Sequence, residues 1–155
     1  MLKKIAPFFL MLIWSAVSFA ALPPGPGLSG FWQGYEDGGA PIEGQFYLTQ
    51  KDVKGEKGEV ESETKSFLSW YGEQRTQYPD WATIFHGEIH EDGTISGYWT
   101  DVPKGQWFRN SGFLEIKMDN PNPEKACVLT VTKEEGADFG PTKLVRKYTK
   151  CKLND

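Results

Sequence analysis

Short runs rich in β-branched and aromatic residues alternate with turn signals along most of this chain, and that alternation restricts the fold more than any other feature. The turn signals include Asp37-Gly38-Gly39, Asp92-Gly93, Asn120-Pro121 and Gly140-Pro141. The runs between them include "FWQGYE", "QFYLTQ", "WATIFHGEI", "TISGYWT", "FLEIKM", "CVLTVT" and "KLVRKYT". Because no stretch shows a long, capped helical period, the pattern predicts an all-β antiparallel fold, either a sandwich or a barrel.

The N-terminus has the pattern of a secretory signal peptide over residues 1–20. Lys3 and Lys4 precede the apolar run "IAPFFLMLIWSAVSF", and Ser18-Phe19-Ala20 is a small-x-small cleavage pattern. A transmembrane anchor is the alternative, but the run is shorter than the roughly 20 residues that a span needs and Pro7 interrupts it. We therefore expect cleavage after Ala20 and a mature protein in the periplasm or outside the cell, with no membrane span.

The mature chain divides into a short leader and one domain. Residues 21–29, "ALPPGPGLS", are rich in proline and glycine and predict a loose arm, followed by a single domain over residues 30–155. The full chain has a formal net charge of −4, and loss of Lys3 and Lys4 makes the mature part more acidic. An acidic exported protein is a poor candidate for binding nucleic acid or an anionic membrane.

Two cysteines, Cys127 and Cys151, lie in the mature part. An even number of cysteines in an oxidising compartment predicts a disulfide, here joining the ends of the "CVLTVT" and "KLVRKYT" strands. A metal or redox pair is the alternative, but the chain has no Cys-x-x-Cys spacing to support it.

The stretch Ile84–Asp101, "IFHGEIHEDGTISGYWTD", raises the question of a metal or acid/base site. A two-residue turn at Asp92-Gly93 would mix charged and large apolar side chains on one face of the hairpin. A three-residue loop, Glu91-Asp92-Gly93 with glycine in the left-handed region, separates the faces cleanly, and we choose that register. The apolar face is then Phe85, Gly87, Ile89, Ile95, Gly97 and Trp99, and the polar face is His86, Glu88, His90, Thr94, Ser96, Tyr98 and Thr100.

That register argues against a metal site. The Cα atoms of His86 and His90, four residues apart on one strand, would be about 13 Å apart. Two ligands of one zinc ion each approach it to about 2.0–2.1 Å, so the pair does not predict a metal site. Because the chain also lacks a Gly-x-Ser-x-Gly motif and a phosphate-binding glycine loop, we expect no enzyme and no cofactor.

Aromatic residues make up 14% of the chain. They fill the core of many small β proteins, and they also line ligand cavities. Gly87 and Gly97 face each other in the chosen register, and glycines there leave room for a neighbouring ring or for a ligand.

The first strand carries a Gly-x-Trp motif, Gly30-Phe31-Trp32, and the last predicted strand carries Arg146. The motif resembles that of lipocalins and avidins, the calycin barrels, in which a basic residue on the last strand packs over the tryptophan. The resemblance implies an up-and-down barrel of about eight strands that holds a small ligand in its mouth, with Trp32 structural and Arg146 over it. The lipocalin motif around the third large loop and the biotin-contacting residues of avidins have no equivalents here, so the resemblance concerns the fold.

Alternate connections of such a meander share one barrel end, and the end with the 37–41, 74–80 and 102–105 connections is the richer in aromatics. We therefore predict a non-catalytic module that binds a small ligand there, with Arg109 orienting an anionic or polar group. The alternative is an exported inhibitor or immunity-type protein that binds a protein partner through Thr100–Asn110, "TDVPKGQWFRN". The predicted ligand contacts are Tyr35, Tyr71, Trp81, Asp101, Trp107 and Arg109.

Overall fold

The computed structural model describes residues 27–54, 64–74, 81–102, 110–147 and 151. Within these ranges the chain forms eight strands: β1 (Gly30–Tyr35), β2 (Gln45–Lys54), β3 (Thr64–Glu73), β4 (Ala82–Ile89), β5 (Thr94–Asp101), β6 (Ser111–Met118), β7 (Val128–Gly136) and β8 (Lys143–Arg146). Each strand pairs antiparallel with the next, and β8 pairs with β1, so the sheet closes into a barrel. The predicted all-β up-and-down barrel of eight strands is confirmed.

The predicted signal peptide and most of the predicted leader lie outside the described residues. Residues 27–29, the end of that leader, pack against the barrel rather than forming a loose arm, and Leu28 is fully buried. Across the described ranges we find no helix with the length and hydrophobicity needed to cross a bilayer.

The β4–β5 hairpin has the predicted register. Phe85 lies opposite Trp99 and His86 opposite Tyr98, and Gly93 has a φ of +80° in the connecting turn. Trp99 is buried, whereas His86 is exposed and its Nδ1 lies 2.8 Å from the Ser69 hydroxyl. Clean separation of apolar and polar faces therefore identified the correct loop length.

Large rings inside the barrel lie over glycines on their own strand or a neighbouring one. A Cβ atom added at Gly72 would lie 2.5 Å from the Phe46 ring, and one added at Gly87 would lie 2.5 Å from the Phe85 ring. The space left by Gly87 thus holds a neighbouring aromatic. Eight strands enclose an interior just wide enough for side chains to fill, and missing Cβ atoms let that interior hold so many rings.

Trp32 closes the end of the barrel at which the chain enters β1, which we call the Trp32 end. Its indole N–H donates to the Leu28 carbonyl at 3.0 Å, and the Arg146 guanidinium lies 5.6 Å from the ring centroid. The Nη2 group of Arg146 donates to the carbonyls of Gly27 (2.6 Å) and Ser29 (3.1 Å). The predicted packing of Arg146 over Trp32 is confirmed as geometry.

A disulfide between Cys127 and Cys151 fastens the same end, as predicted, with the Cα atoms 5.5 Å apart. Cys127 immediately precedes β7, and its carbonyl accepts a hydrogen bond from the Arg146 backbone N–H at 3.0 Å. The disulfide and the hydrogen bonds of Arg146 therefore stabilise the same end of the barrel.

Candidate functional site

The opposite end of the barrel, where the β1–β2, β3–β4, β5–β6 and β7–β8 connections leave the strands, contains a cleft of about 370 Å³. We call it the cleft end. Ligand pockets usually enclose roughly 300–1,000 Å³, so the cleft is of a size for a small molecule. The described residues that line it are Glu36, Pro41, Ile42, Glu43, Phe46, Trp81, Thr83, Trp99, Asp101, Asn110, Asp138, Phe139, Gly140 and Pro141.

The floor of the cleft is a cluster of aromatic rings that fills the barrel interior below it. Phe139, from the β7–β8 connection, turns into the barrel and lies 6.1 Å from Phe46, 5.5 Å from Trp70 and 5.4 Å from Trp99, measured between ring centroids. Its backbone N–H donates to the carboxylate of Glu134, which fixes the connection against β7. The cleft therefore ends on packed side chains instead of continuing as a deep cavity.

Trp81 forms one aromatic wall and is held by two neighbours. Its ring stacks on Phe46 with the centroids 5.9 Å apart and an interplanar angle of 29°. A Cβ atom added at Gly44 would lie 2.3 Å from Trp81 Cζ2, so the ring occupies the space that a side chain would need. Backbone hydrogen bonds from Ile42 N to Gly34 O (3.0 Å) and from Gly44 N to Ile42 O (2.8 Å) fix the backbone next to the ring.

The polar part of the cleft is acidic. Asp101 lies opposite Thr83 across the β4–β5 pair, and its Oδ2 accepts a hydrogen bond from the Asn110 N–H at 3.3 Å. Burial raises the pKa of the Asp101 carboxyl, because the charged form loses solvation. The described lining residues comprise four carboxylates and no lysine, arginine or histidine, the carboxylates being Glu36, Glu43, Asp101 and Asp138.

The structure brings together two of the six predicted contacts. Trp81 and Asp101 line the cleft. Tyr35 and Tyr71 lie at or near the same barrel end but on the outer wall, where Tyr35 lies under the Lys143 ammonium and the Tyr71 hydroxyl donates to Glu73. Trp107 and Arg109 lie outside the described residues.

Other lining residues were missed by the sequence reasoning, above all Phe139 and the carboxylates of Glu36, Glu43 and Asp138. A signal for Phe139 exists, since "DFGP" places an aromatic beside a Gly-Pro turn in a connection that a meander assigns to this end. Strand alternation would also have assigned Tyr35 and Tyr71 to the outer wall, because their neighbours Gly34 and Trp70 face inward.

A second, more open groove of about 570 Å³ lies on the outer wall across β4, β5 and β6. Tyr98 is its most exposed ring, at 73%, and contacts Phe113 edge-to-face at 5.5 Å. Cross-strand pairs continue this apolar surface from Ile84 to Tyr71 and on to Tyr47. Such a contiguous aromatic surface is a candidate for contact with a macromolecule.

The described residues contain no group of three or more histidine, cysteine or acidic side chains arranged to hold a metal ion. Comparison of the chain with protein families, curated proteins and solved structures finds no match. The resemblance to calycin barrels therefore stays a prediction, and the function has to be inferred from the site itself.

Proposed function

We propose that this protein is an exported, non-catalytic barrel that binds a small ligand in the cleft. The cleft carries the proposal, because a concave site of ligand size with aromatic lining and a few polar groups at its rim is the usual composition of a small-molecule site. The Cys127–Cys151 disulfide supports export, because such bonds persist in oxidising compartments. A calycin-like relationship is part of the same proposal, supported by Arg146 over Trp32.

The architecture also supports the division of roles. Trp32 and Arg146 stabilise the end away from the cleft, while the connections at the cleft end contribute residues that line it. Binding sites commonly lie on such connections, held by a rigid scaffold.

A second candidate function is that of an interaction protein, an exported inhibitor or immunity-type factor. The observation that favours it is the exposed apolar surface of the outer wall, which includes Tyr98 at 73% exposure and Tyr47 at 44%. Tyrosines at that exposure are common in protein interfaces.

Native mass spectrometry of the protein purified from its own host, after export, separates the two candidates. We expect a retained small molecule that is lost in Trp81→Ala and kept in Tyr98→Ala, the matched aromatic truncation on the outer wall. A co-purifying protein that is lost only in Tyr98→Ala would replace the first candidate by the second.

A further inference from the structure

We propose that the ligand of the cleft is a small organic cation, an alkylammonium or quaternary ammonium compound. This inference rests on the proposed function, and it specifies the chemical class that the cleft selects. It follows from two independent properties of the described lining residues, the aromatic walls and the sign of the charge at the rim.

Aromatic rings make up part of the apolar lining, which also includes proline and isoleucine side chains. Trp81 is partly exposed at the cleft, while Phe46, behind it, is buried, and the two rings stack. Phe139 closes the floor, with its ring tilted by 55° to that of Trp99. The face of an aromatic ring attracts a cation electrostatically, and tryptophan does so most strongly. A neutral apolar ligand would gain the same buried area without that attraction.

The described residues of the rim carry charge of one sign. Asp101 reaches the cleft from β5, Glu36 and Glu43 from the β1–β2 connection, and Asp138 from the β7–β8 connection. Ion pairs of the described residues include those of Lys65, Lys117 and Lys133, which pair with carboxylates away from the cleft. Carboxylates around a cavity with low-dielectric walls attract a cation and repel an anion.

Asp138 also contributes to the shape of the site. Its Oδ1 accepts a hydrogen bond from the Gly140 N–H at 2.8 Å, which closes a turn around Phe139. One short segment thus supplies both a ring and a carboxylate to the cleft. Aromatic faces combined with nearby carboxylates favour an ammonium group over a neutral ligand of the same shape.

The test uses three probes of nearly identical shape and different charge: choline, its uncharged analogue tert-butylethanol, and the carboxylate of tert-butylacetic acid. Their dissociation constants are measured by calorimetric or NMR titration of the oxidised, signal-cleaved protein. We expect choline to bind about tenfold more tightly than the alcohol, and the carboxylate to bind most weakly.

Two variants connect that preference to the rim. Asp101→Asn and Glu36→Gln should each weaken the binding of choline several-fold more than they weaken the binding of tert-butylethanol. Glu91→Gln, the same kind of change at an exposed position of the Trp32 end, is the matched control and should alter neither affinity.

Each other result overturns the inference in a recognisable way. Equal binding of choline and the alcohol would mean that the cleft takes a neutral ligand, and the proposed function would stand. Preference for the carboxylate would instead support the sequence-based prediction that Arg109 orients an anionic group. If no probe binds, the cation class is rejected, and the mass spectra of the Trp81→Ala protein decide separately whether the cleft holds any ligand.

Discussion

At the Trp32 end a cation of the protein covers the tryptophan ring, whereas at the cleft end the described lining is aromatic and acidic. The Trp32 indole donates to Leu28, and the Arg146 guanidinium donates to the carbonyls of Gly27 and Ser29. At the cleft end, Asp101 and Glu36 line the same cleft as Trp81. Both ends contain a tryptophan, but Arg146 covers the ring of Trp32, whereas carboxylates line the cleft that Trp81 borders.

From this difference we assign Trp32 to stability and propose Trp81 as a ligand contact. Trp32 is fully buried, and its ring is covered by a cation of the protein itself, Arg146. Trp81 is only partly buried and has no such cation among the described lining residues. A cationic ligand in the cleft would take the place at Trp81 that Arg146 takes at Trp32.

The largest expected effect separates the two tryptophans. Trp32→Ala should lower the free energy of unfolding by about 3–5 kcal/mol, because it removes a fully buried ring and leaves a cavity beneath Arg146. Trp81→Ala should cost clearly less, because part of that ring already contacts solvent. Urea denaturation of the two variants measures both values, and similar losses would mean that Trp81 is a lid residue of the core rather than a ligand wall.

The disulfide should act on the same end with a slightly smaller effect. Replacing Cys127 and Cys151 together by serine opens a loop with a sequence separation of 24 and should lower stability by about 3–4 kcal/mol on the chain-entropy account. The affinity of the folded protein for choline should not change, because the bond lies at the end opposite the cleft. A combined loss of stability and affinity in the folded protein would show that the two ends are coupled.

Two features of the Trp32 end could be predicted from the sequence, on different grounds. The contact of Arg146 with Trp32 was implied by the resemblance of Gly30-Phe31-Trp32 to the motif of calycin barrels, and the two residues are directly paired. The register of the β4–β5 hairpin follows from face separation around Gly93. That register depends on strand period and turn chemistry, which a short stretch of sequence carries.

The cleft could be predicted only in part, because its composition depends on how connections fold back over the barrel. Trp81 and Asp101 were identified, since they lie at the ends of predicted strands. Phe139 was not, because its entry into the barrel depends on the volume left by Phe46 and Trp70. Tyr71 lies on the outer wall, because successive side chains of a strand point to opposite faces and Trp70 faces inward. The prediction of Tyr71 as a contact did not take this into account.

A smaller effect should follow from a substitution at Gly44, which fills the space next to the Trp81 ring without removing the ring. Gly44→Ala would place a Cβ atom 2.3 Å from Trp81 Cζ2 and 2.9 Å from the Glu73 carbonyl oxygen. Overpacking of this kind costs about 1–3 kcal/mol, and the ring should move away from Phe46. Choline titration should then show weaker binding.

Gly38→Ala is the matched control for that change. Gly38 lies on the same β1–β2 connection with a φ of +88°, and an added Cβ atom there would meet no atom within 4 Å. The substitution strains the backbone but leaves Trp81 untouched, so stability should fall while choline affinity is kept. Equal losses of affinity in both variants would mean that a change anywhere in the β1–β2 connection weakens binding, whether or not it displaces the Trp81 ring.

The smallest expected effect, and the one that compares the two ends most directly, is the pH dependence of two aspartates. Burial raises the pKa of Asp101 above its usual 3.8, so the folded state binds its proton more tightly than the unfolded state does. Stability therefore falls as pH rises from about that usual value through the folded-state pKa, and Asp101→Asn should remove this slope and be the more stable protein at neutral pH.

Asp92, in the turn at the Trp32 end, should behave in the opposite way. Hydrogen bonds from the backbone N–H and the hydroxyl of Thr94, with a smaller contribution from Lys117, lower the pKa of the Asp92 carboxyl. Its contribution is present above its usual pKa of 3.8 and is lost as pH falls through the lower folded-state value, so Asp92→Asn should be the less stable protein at neutral pH. Urea denaturation of the two variants across the acidic range measures both slopes. As pH rises through the folded-state pKa of Asp101, choline affinity should rise while stability falls, since only the ionised carboxylate attracts the cation. If both variants shift stability in the same direction, the two ends do not differ in the way their carboxylates are held.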